Sequence, residues 1–286
     1  AGYNNTTGAL NTALGDSSLL ANTTGVANVA VGRSALGSNT TASHNTAVGY
    51  QSLLSNTTGA RNNALGYLSL NTNSTGQDNT AMGYLALRYN TANTNTAYGS
   101  YALTANTTGA DNTALGKDAL VANTTGASNV AAGEGALAAN TTGNYNQAFG
   151  KRALYTNVSG SYNNAFGNDA LKVNTASNNT ALGHSALSAN TTASSNTAVG
   201  YQAAYSNTTG THNTAIGDRP LRTNTTGNYN TALGHASMYY NTTGSTNVAL
   251  GYESLNANTT ASNNTAVGFQ SSYFNTTGAN NATLGS

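Results

Sequence analysis

Residues 45–61 read Asn45-Thr46-Ala47-Val48-Gly49-Tyr50-Gln51-Ser52-Leu53-Leu54-Ser55-Asn56-Thr57-Thr58-Gly59-Ala60-Arg61, and the chain is this phrase repeated with variations. The glycine of its N-x-A-x-G start recurs at Gly15, Gly32, Gly49, Gly66, Gly83, Gly99, Gly116 and onward to Gly285; of the sixteen intervals, fourteen are 17 residues and two are 16. No composition shift interrupts the series, so the expectation is one continuous array over 1–286, without a linker and with both ends lying inside repeats. Helix-turn-helix repeats need about 34 residues and a propeller blade about 40. A 17-residue unit instead fits one coil of an all-β, parallel β-solenoid (a β-roll) of about seventeen coils.

Within the unit the apolar spacing is not helical, and its glycines and asparagines would each cost a helix roughly 0.7–1 kcal/mol. Three short extended pieces are expected, N-T-A-L, A-L-x-x and N-T-T, with glycine after the first and third supplying positive φ at the corners. Both 16-residue coils are short at the same place, Asn90-Thr91-Ala92-Asn93 and Asn174-Thr175-Ala176-Ser177, where the corner glycine is missing.

Side chains on a strand alternate between faces, so the rows can be assigned. The row before the first glycine (Leu14, Val31, Val48, Leu65, Met82, Tyr98, Leu115) and the Leu row (Leu19, Leu36, Leu53, Leu70, Leu87, Leu103, Leu120) are expected to form the core. Between them the Ala row (Ala13, Ala30, Ala47, Ala64, Ala81) is nearly invariant, and so is a row of Ala or Ser three residues after the glycine. Two readings remain open for the small rows: they fill a narrow interior, or they face a second copy of the chain. The second is preferred, making Ala114, Ala131, Ala148 and Ala165 candidates for self-association.

Composition narrows function. Asn and Thr occupy 93 of 286 positions, charged residues are 6%, the net charge is +1, and there is no Cys and no Trp. So little charge, with no basic run, does not fit a nucleic-acid binder. No apolar run reaches the ~18 residues of a membrane-spanning helix. The four histidines, His44, His184, His212 and His235, fall at variable positions without metal-ligand spacing or a Ser-His-Asp pattern, so neither catalysis, a metal nor a cofactor is expected.

Two stacked Asn rows, one through Asn11, Asn28, Asn45 and Asn62 and one through Asn22, Asn39, Asn56 and Asn73, would form amide ladders at ~4.8 Å. The rival reading is glycosylation, at sequons such as Asn22, Asn106, Asn140, Asn207 and Asn275 or on the hydroxyls of Thr24, Thr41 and Thr58. Because Asn before two Thr makes a sequon automatically, the ladder is preferred. Tyr50, Tyr67 and Tyr84 follow the glycine in three consecutive coils, and Tyr145 and Tyr162 precede the next Asn. These rings are the candidate contacts to a partner or a glycan, against the plainer reading that they shield corners.

The segment Asn45-Thr46-Ala47-Val48-Gly49, recurring with Val, Leu, Ile or Phe before Gly, resembles the head repeats of YadA-like trimeric autotransporter adhesins. The longer N-T-A-L-G…N-T-T-G unit is similar to arrays in phage-type tail-fibre proteins that end in an endosialidase-type chaperone domain. The resemblance spans the whole chain, although the adhesin repeat is usually shorter. It implies left-handed parallel β-rolls, often three side by side, at a cell or virion surface. The function expected is that of a non-catalytic, extracellular fibre or filament subunit whose partners are copies of itself, side by side or end to end. A glycan-binding adhesin or fibre head is the alternative. An ice-binding solenoid ranks lowest, because Thr23 and Thr24 are adjacent and only one of them can face outward.

Overall fold

A computed structural model describes residues 1–285 and consists of short strands joined by turns, with no helix among them. The chain divides into two compact units, Ala1–Tyr145 and Asn146–Ser286. The first holds eight three-residue strands, from Thr12–Leu14 to Val130–Ala132; the second holds nine, from Gln147–Phe149 to Ala282–Leu284. Within each unit consecutive strands pair in parallel and strict repeat register, as in Thr46 with Asn63, Ala47 with Ala64 and Val48 with Leu65. Each unit is therefore a parallel β-solenoid with one coil per repeat.

Only the first of the three expected extended pieces is a strand. The second is a turn in which left-handed residues alternate with others: φ is 134° at Gly49, 51° at Gln51 and 51° at Leu53. Along this turn the N–H groups change direction, from the preceding coil at Gly49 and Gln51 to the following coil at Leu53 and Ser55. The Gln51 N–H donates to the Arg33 carbonyl of the preceding coil at 2.9 Å, and the Leu53 N–H to the Ser69 carbonyl of the following coil at 2.9 Å. The third piece is a bend whose Thr57 and Thr58 N–H groups share the Ser74 carbonyl at 2.9 and 3.3 Å. All three sides are thus stitched coil to coil, which meets the requirement that inward backbone groups find partners. A left-handed Leu costs roughly 1–2 kcal/mol. Its complete burial, worth roughly 1.5–3 kcal/mol, offsets that.

The two corner glycines have different reasons. At Gly49 positive φ is required, and a Cβ would also run into the Gly66 carbonyl. Gly59, contrary to expectation, does not adopt positive φ, and Ala42, Ala193 and Ala261 stand in its place in other coils. Its carbonyl accepts two side-chain amides, from Asn45 at 2.9 Å and Asn56 at 2.9 Å, so the corner needs a small residue rather than an unusual backbone. The 16-residue coils keep this arrangement. The Ala92 carbonyl accepts from Asn79 at 2.9 Å and Asn90 at 2.8 Å, and the Ala176 carbonyl from Asn163 and Asn174, both at 2.8 Å.

Burial reverses three row assignments. The Leu row is core, with Leu19 through Leu187 at most 1% exposed. The row before the first glycine is not: Leu65, Leu115 and Leu182 are 48%, 42% and 49% exposed. Between the outward neighbours of each strand it is the Ala, or Thr283 in the last, that points inward. Ala114, Ala131, Ala148 and Ala165 are completely buried within a single chain, which overturns their assignment to self-association. The Ala or Ser row after the glycine is interior as well, as Ser52, Ala102 and Ala119 show. The reason is space. The Leu side chain and two Asn amides already occupy the narrow coil, and what remains opposite them admits a methyl group.

Candidate contact surfaces

The buried Asn rows are structural. In most coils of the row through Asn22 the amide nitrogen reaches the amide oxygen of the preceding coil and the corner carbonyl of its own: Asn39 donates to Asn22 Oδ1 at 2.8 Å and to the Ala42 carbonyl at 3.0 Å. In the row through Asn11 the oxygen instead accepts the next coil's backbone N–H, as when the Asn62 N–H reaches Asn45 Oδ1 at 2.9 Å. The ladder is interrupted beside the first short coil, where Oδ1 of Asn56 and of Asn73 is buried with no partner among the described residues.

This geometry removes most of the glycosylation candidates. Asn22, Asn106, Asn140 and Asn207 are at most 1% exposed, and each amide nitrogen, the atom a glycan would modify, donates inside the coil. Asn275 is partly exposed but its nitrogen likewise donates to the Gly278 carbonyl at 2.8 Å. Thr24, Thr41 and Thr58 are exposed on the outside of the bend.

What faces solvent from the strands is a pair of rows that sequence reasoning placed inside or left aside. In the first unit Thr46, Thr80, Thr96 and Thr113 run beside Val48, Met82, Tyr98 and Leu115; the second repeats the pattern with Thr197, Thr214 and Thr231 beside Val199, Ile216 and Leu233. Neither row carries a charged residue in any coil. Aromatic members stack, with Phe149 and Phe166 at 4.7 Å between centroids.

The tyrosine candidates do align. Tyr50, Tyr67 and Tyr84 stack face to face at 5.3 Å per step with planes 10° apart, and Tyr101 meets Tyr84 edge-on at 5.4 Å. Each ring of the trio is 38–46% exposed, so the ladder presents a continuous aromatic edge. Tyr145 in the first unit and Tyr162 in the second are exposed in left-handed positions. Three of the histidines, read in the sequence only as variable residues, join similar ladders: His184 with Tyr201 at 5.7 Å, His212 with Tyr229 at 4.8 Å, and His235 with Tyr252 at 5.0 Å. Spacing by 17 was the signal for these contacts, since it puts each pair in one row.

Charges also pair between coils. Arg61 grips Asp78 with two bonds, Nε to Oδ1 at 2.6 Å and Nη2 to Oδ2 at 2.8 Å. That hydrogen bonding holds the Asp78 carboxyl below its ordinary range and raises the Arg61 guanidinium. Hydrogen bonding to Asp218 raises the Arg219 guanidinium in the same way. Among the described residues no group of three or more His, Cys, Asp or Glu is placed to hold a metal ion. No protein-family model matches the chain, and no curated protein is found similar to it.

Proposed function

We propose that the chain is a non-catalytic structural protein, a β-solenoid subunit of an extracellular fibre or filament of adhesin or tail-fibre type, and that copies pack side by side through the outward strand rows. The observation that carries this reading is the uncharged Thr-and-aliphatic face. Isolated exposed apolar residues are ordinary, but an unbroken apolar row on an in-register sheet marks a surface that another protein covers. A second copy suits it because the same rows, with the same ~4.8 Å repeat, can interdigitate with themselves. Leucine, valine and isoleucine rather than alanine form the contact.

Sedimentation velocity tests the packing. The parent protein is expected to sediment as an oligomer, and a Leu65→Thr, Leu115→Thr variant to dissociate without losing its fold, because both side chains are half exposed. A parent that stays monomeric at high concentration refutes the side-by-side association. Electron micrographs of the purified protein bear on the fibre itself: rods or filaments support it, globules do not. The stacked ring ladder of Tyr50, Tyr67 and Tyr84, in the turn that follows each strand, favours a second reading, a glycan or partner platform. Binding of a glycan array to the parent and not to a Tyr67→Ala variant would support it.

A further inference from the structure

One place in the second unit departs from the repeat in a way that makes a cleft. At the seventh position of five consecutive coils stand Gln202, Arg219, Ala236, Glu253 and Gln270, and three residues further on stand Tyr205, Arg222, Tyr239, Asn256 and Tyr273. Ala236 interrupts the first row, so a gap opens between Arg219 and Glu253, faced by Tyr239, Asn256 and Tyr273. The gap measures about 220 Å³ and is also bordered by His235 and the exposed Tyr240.

Its walls are held in place. Arg222 lies against both Tyr205 and Tyr239, 5.6 and 5.5 Å from their ring centres, and its Nη1 donates to the Tyr239 hydroxyl at 3.0 Å. Tyr239 and Tyr240 meet edge to face at 4.7 Å. Asn256 Nδ2 donates to the Ala236 carbonyl at 2.8 Å, and Gln270 donates to Glu253 Oε2 at 2.8 Å. Arg219 is anchored through Nε on Asp218 at 3.1 Å, which leaves its terminal nitrogens as donors. At the border His235 Nδ1 is buried with no hydrogen-bond partner among the described residues.

We propose that this cleft is a binding site for a single neutral sugar ring. Its features select that class. Tyrosine rings supply flat apolar faces for the C–H side of a sugar, while Arg219, Asn256, Glu253 and the tyrosine hydroxyls supply both donors and acceptors for its hydroxyl groups. The charges around the gap, Arg219 against Asp218 and Glu253, do not favour an anion. Size agrees: 220 Å³ is space for about seven waters and lies below the ~300 Å³ at which drug-sized pockets begin. The site belongs to the folded unit by itself and does not depend on fibre assembly.

Titration of the protein with methyl glycosides of glucose, galactose, mannose and N-acetylglucosamine, followed by calorimetry and nuclear magnetic resonance, tests the site; methyl glucuronide serves as the anionic probe. At least one neutral glycoside is expected to bind saturably. Ala236→Leu should abolish that binding by filling the gap, and it should fold, because Leu68 and Leu85 occupy the same row position in other coils at φ 53° and 59°. Tyr240→Ser should weaken binding at least tenfold, with Lys117→Asn, on a solvated corner of the other unit, leaving it unchanged. The proposal is overturned if none of the four neutral probes binds, if Ala236→Leu binds as well as the parent while melting normally, or if the glucuronide binds more tightly than all four. These outcomes are independent of the sedimentation result, so a failed cleft and a failed fibre reading are told apart.

Discussion

Asn39 and Asn73 occupy the same row, yet truncating them should have very different costs. Asn39→Ala removes three hydrogen bonds: to Asn22 Oδ1 at 2.8 Å, to the Ala42 carbonyl at 3.0 Å, and from Asn56 Nδ2 at 2.9 Å. At roughly 0.5–1.5 kcal/mol each these amount to about 3 kcal/mol, and the buried Asn22 Oδ1 also loses its donor from the next coil, which pushes the cost toward the upper end. Asn73 makes one such bond, to the Gly76 carbonyl at 2.9 Å, and its own Oδ1 has no partner among the described residues. Asn73→Ala should therefore cost about 1 kcal/mol or less, since it also deletes a buried acceptor that is already unpaired. Both substitutions remove the same atoms from fully buried sites, so the cavity contribution largely cancels in the comparison. Urea unfolding followed by circular dichroism measures the difference as a shift in midpoint at constant slope. A gap of about 2 kcal/mol is expected. Equal destabilisation by the two variants would refute the idea that the amide ladder, rather than mere side-chain volume, holds the coils in register.

Leu120→Asn should cost several kcal/mol, at or above the ~2–5 kcal/mol of a Leu→Ala change, because it places an amide in a fully buried apolar row; Lys117→Asn, on a solvated corner, should stay within about 0.5 kcal/mol. Comparable melting temperatures for the two would show the rows to be wrongly assigned. Ala114→Gln should unfold its coil rather than dissociate copies, visible as a loss of β-type circular dichroism, since no room exists beside a completely buried methyl. The Arg61–Asp78 pair gives a pH dependence. Because the folded Asp78 carboxyl is depressed, its contribution is present above the ordinary Asp pKa and is lost as pH falls through the depressed one. Melting curves of the parent and of Asp78→Asn should accordingly converge on acidification, and a gap that widens instead would contradict the pairing.

The repeat made the solenoid legible. Once Asn45 to Arg61 is seen to recur every 17 residues, parallel in-register stacking follows, and so do the Leu column and the Asn ladder, because identical residues in stacked coils must meet their own copies. Period also places Tyr50 above Tyr67 and His235 above Tyr252, contacts that need no knowledge of the coil's cross-section. What the period leaves open is which way each row points. Thr46-Ala47-Val48 alternates faces, but alternation alone allows either Ala inside or Thr and Val inside, and hydrophobicity argued for Val. The cross-section decided otherwise. Left-handed Gln51 and Leu53 swing the Leu row across the coil, the amides of Asn45 and Asn56 converge on the Gly59 carbonyl, and the space left opposite them is the size of a methyl group. The outward apolar face and the loss of the Asn glycosylation sites both follow from that closure, which depends on the joint fit of residues from three sides of the coil and so is not carried by any one row of the sequence.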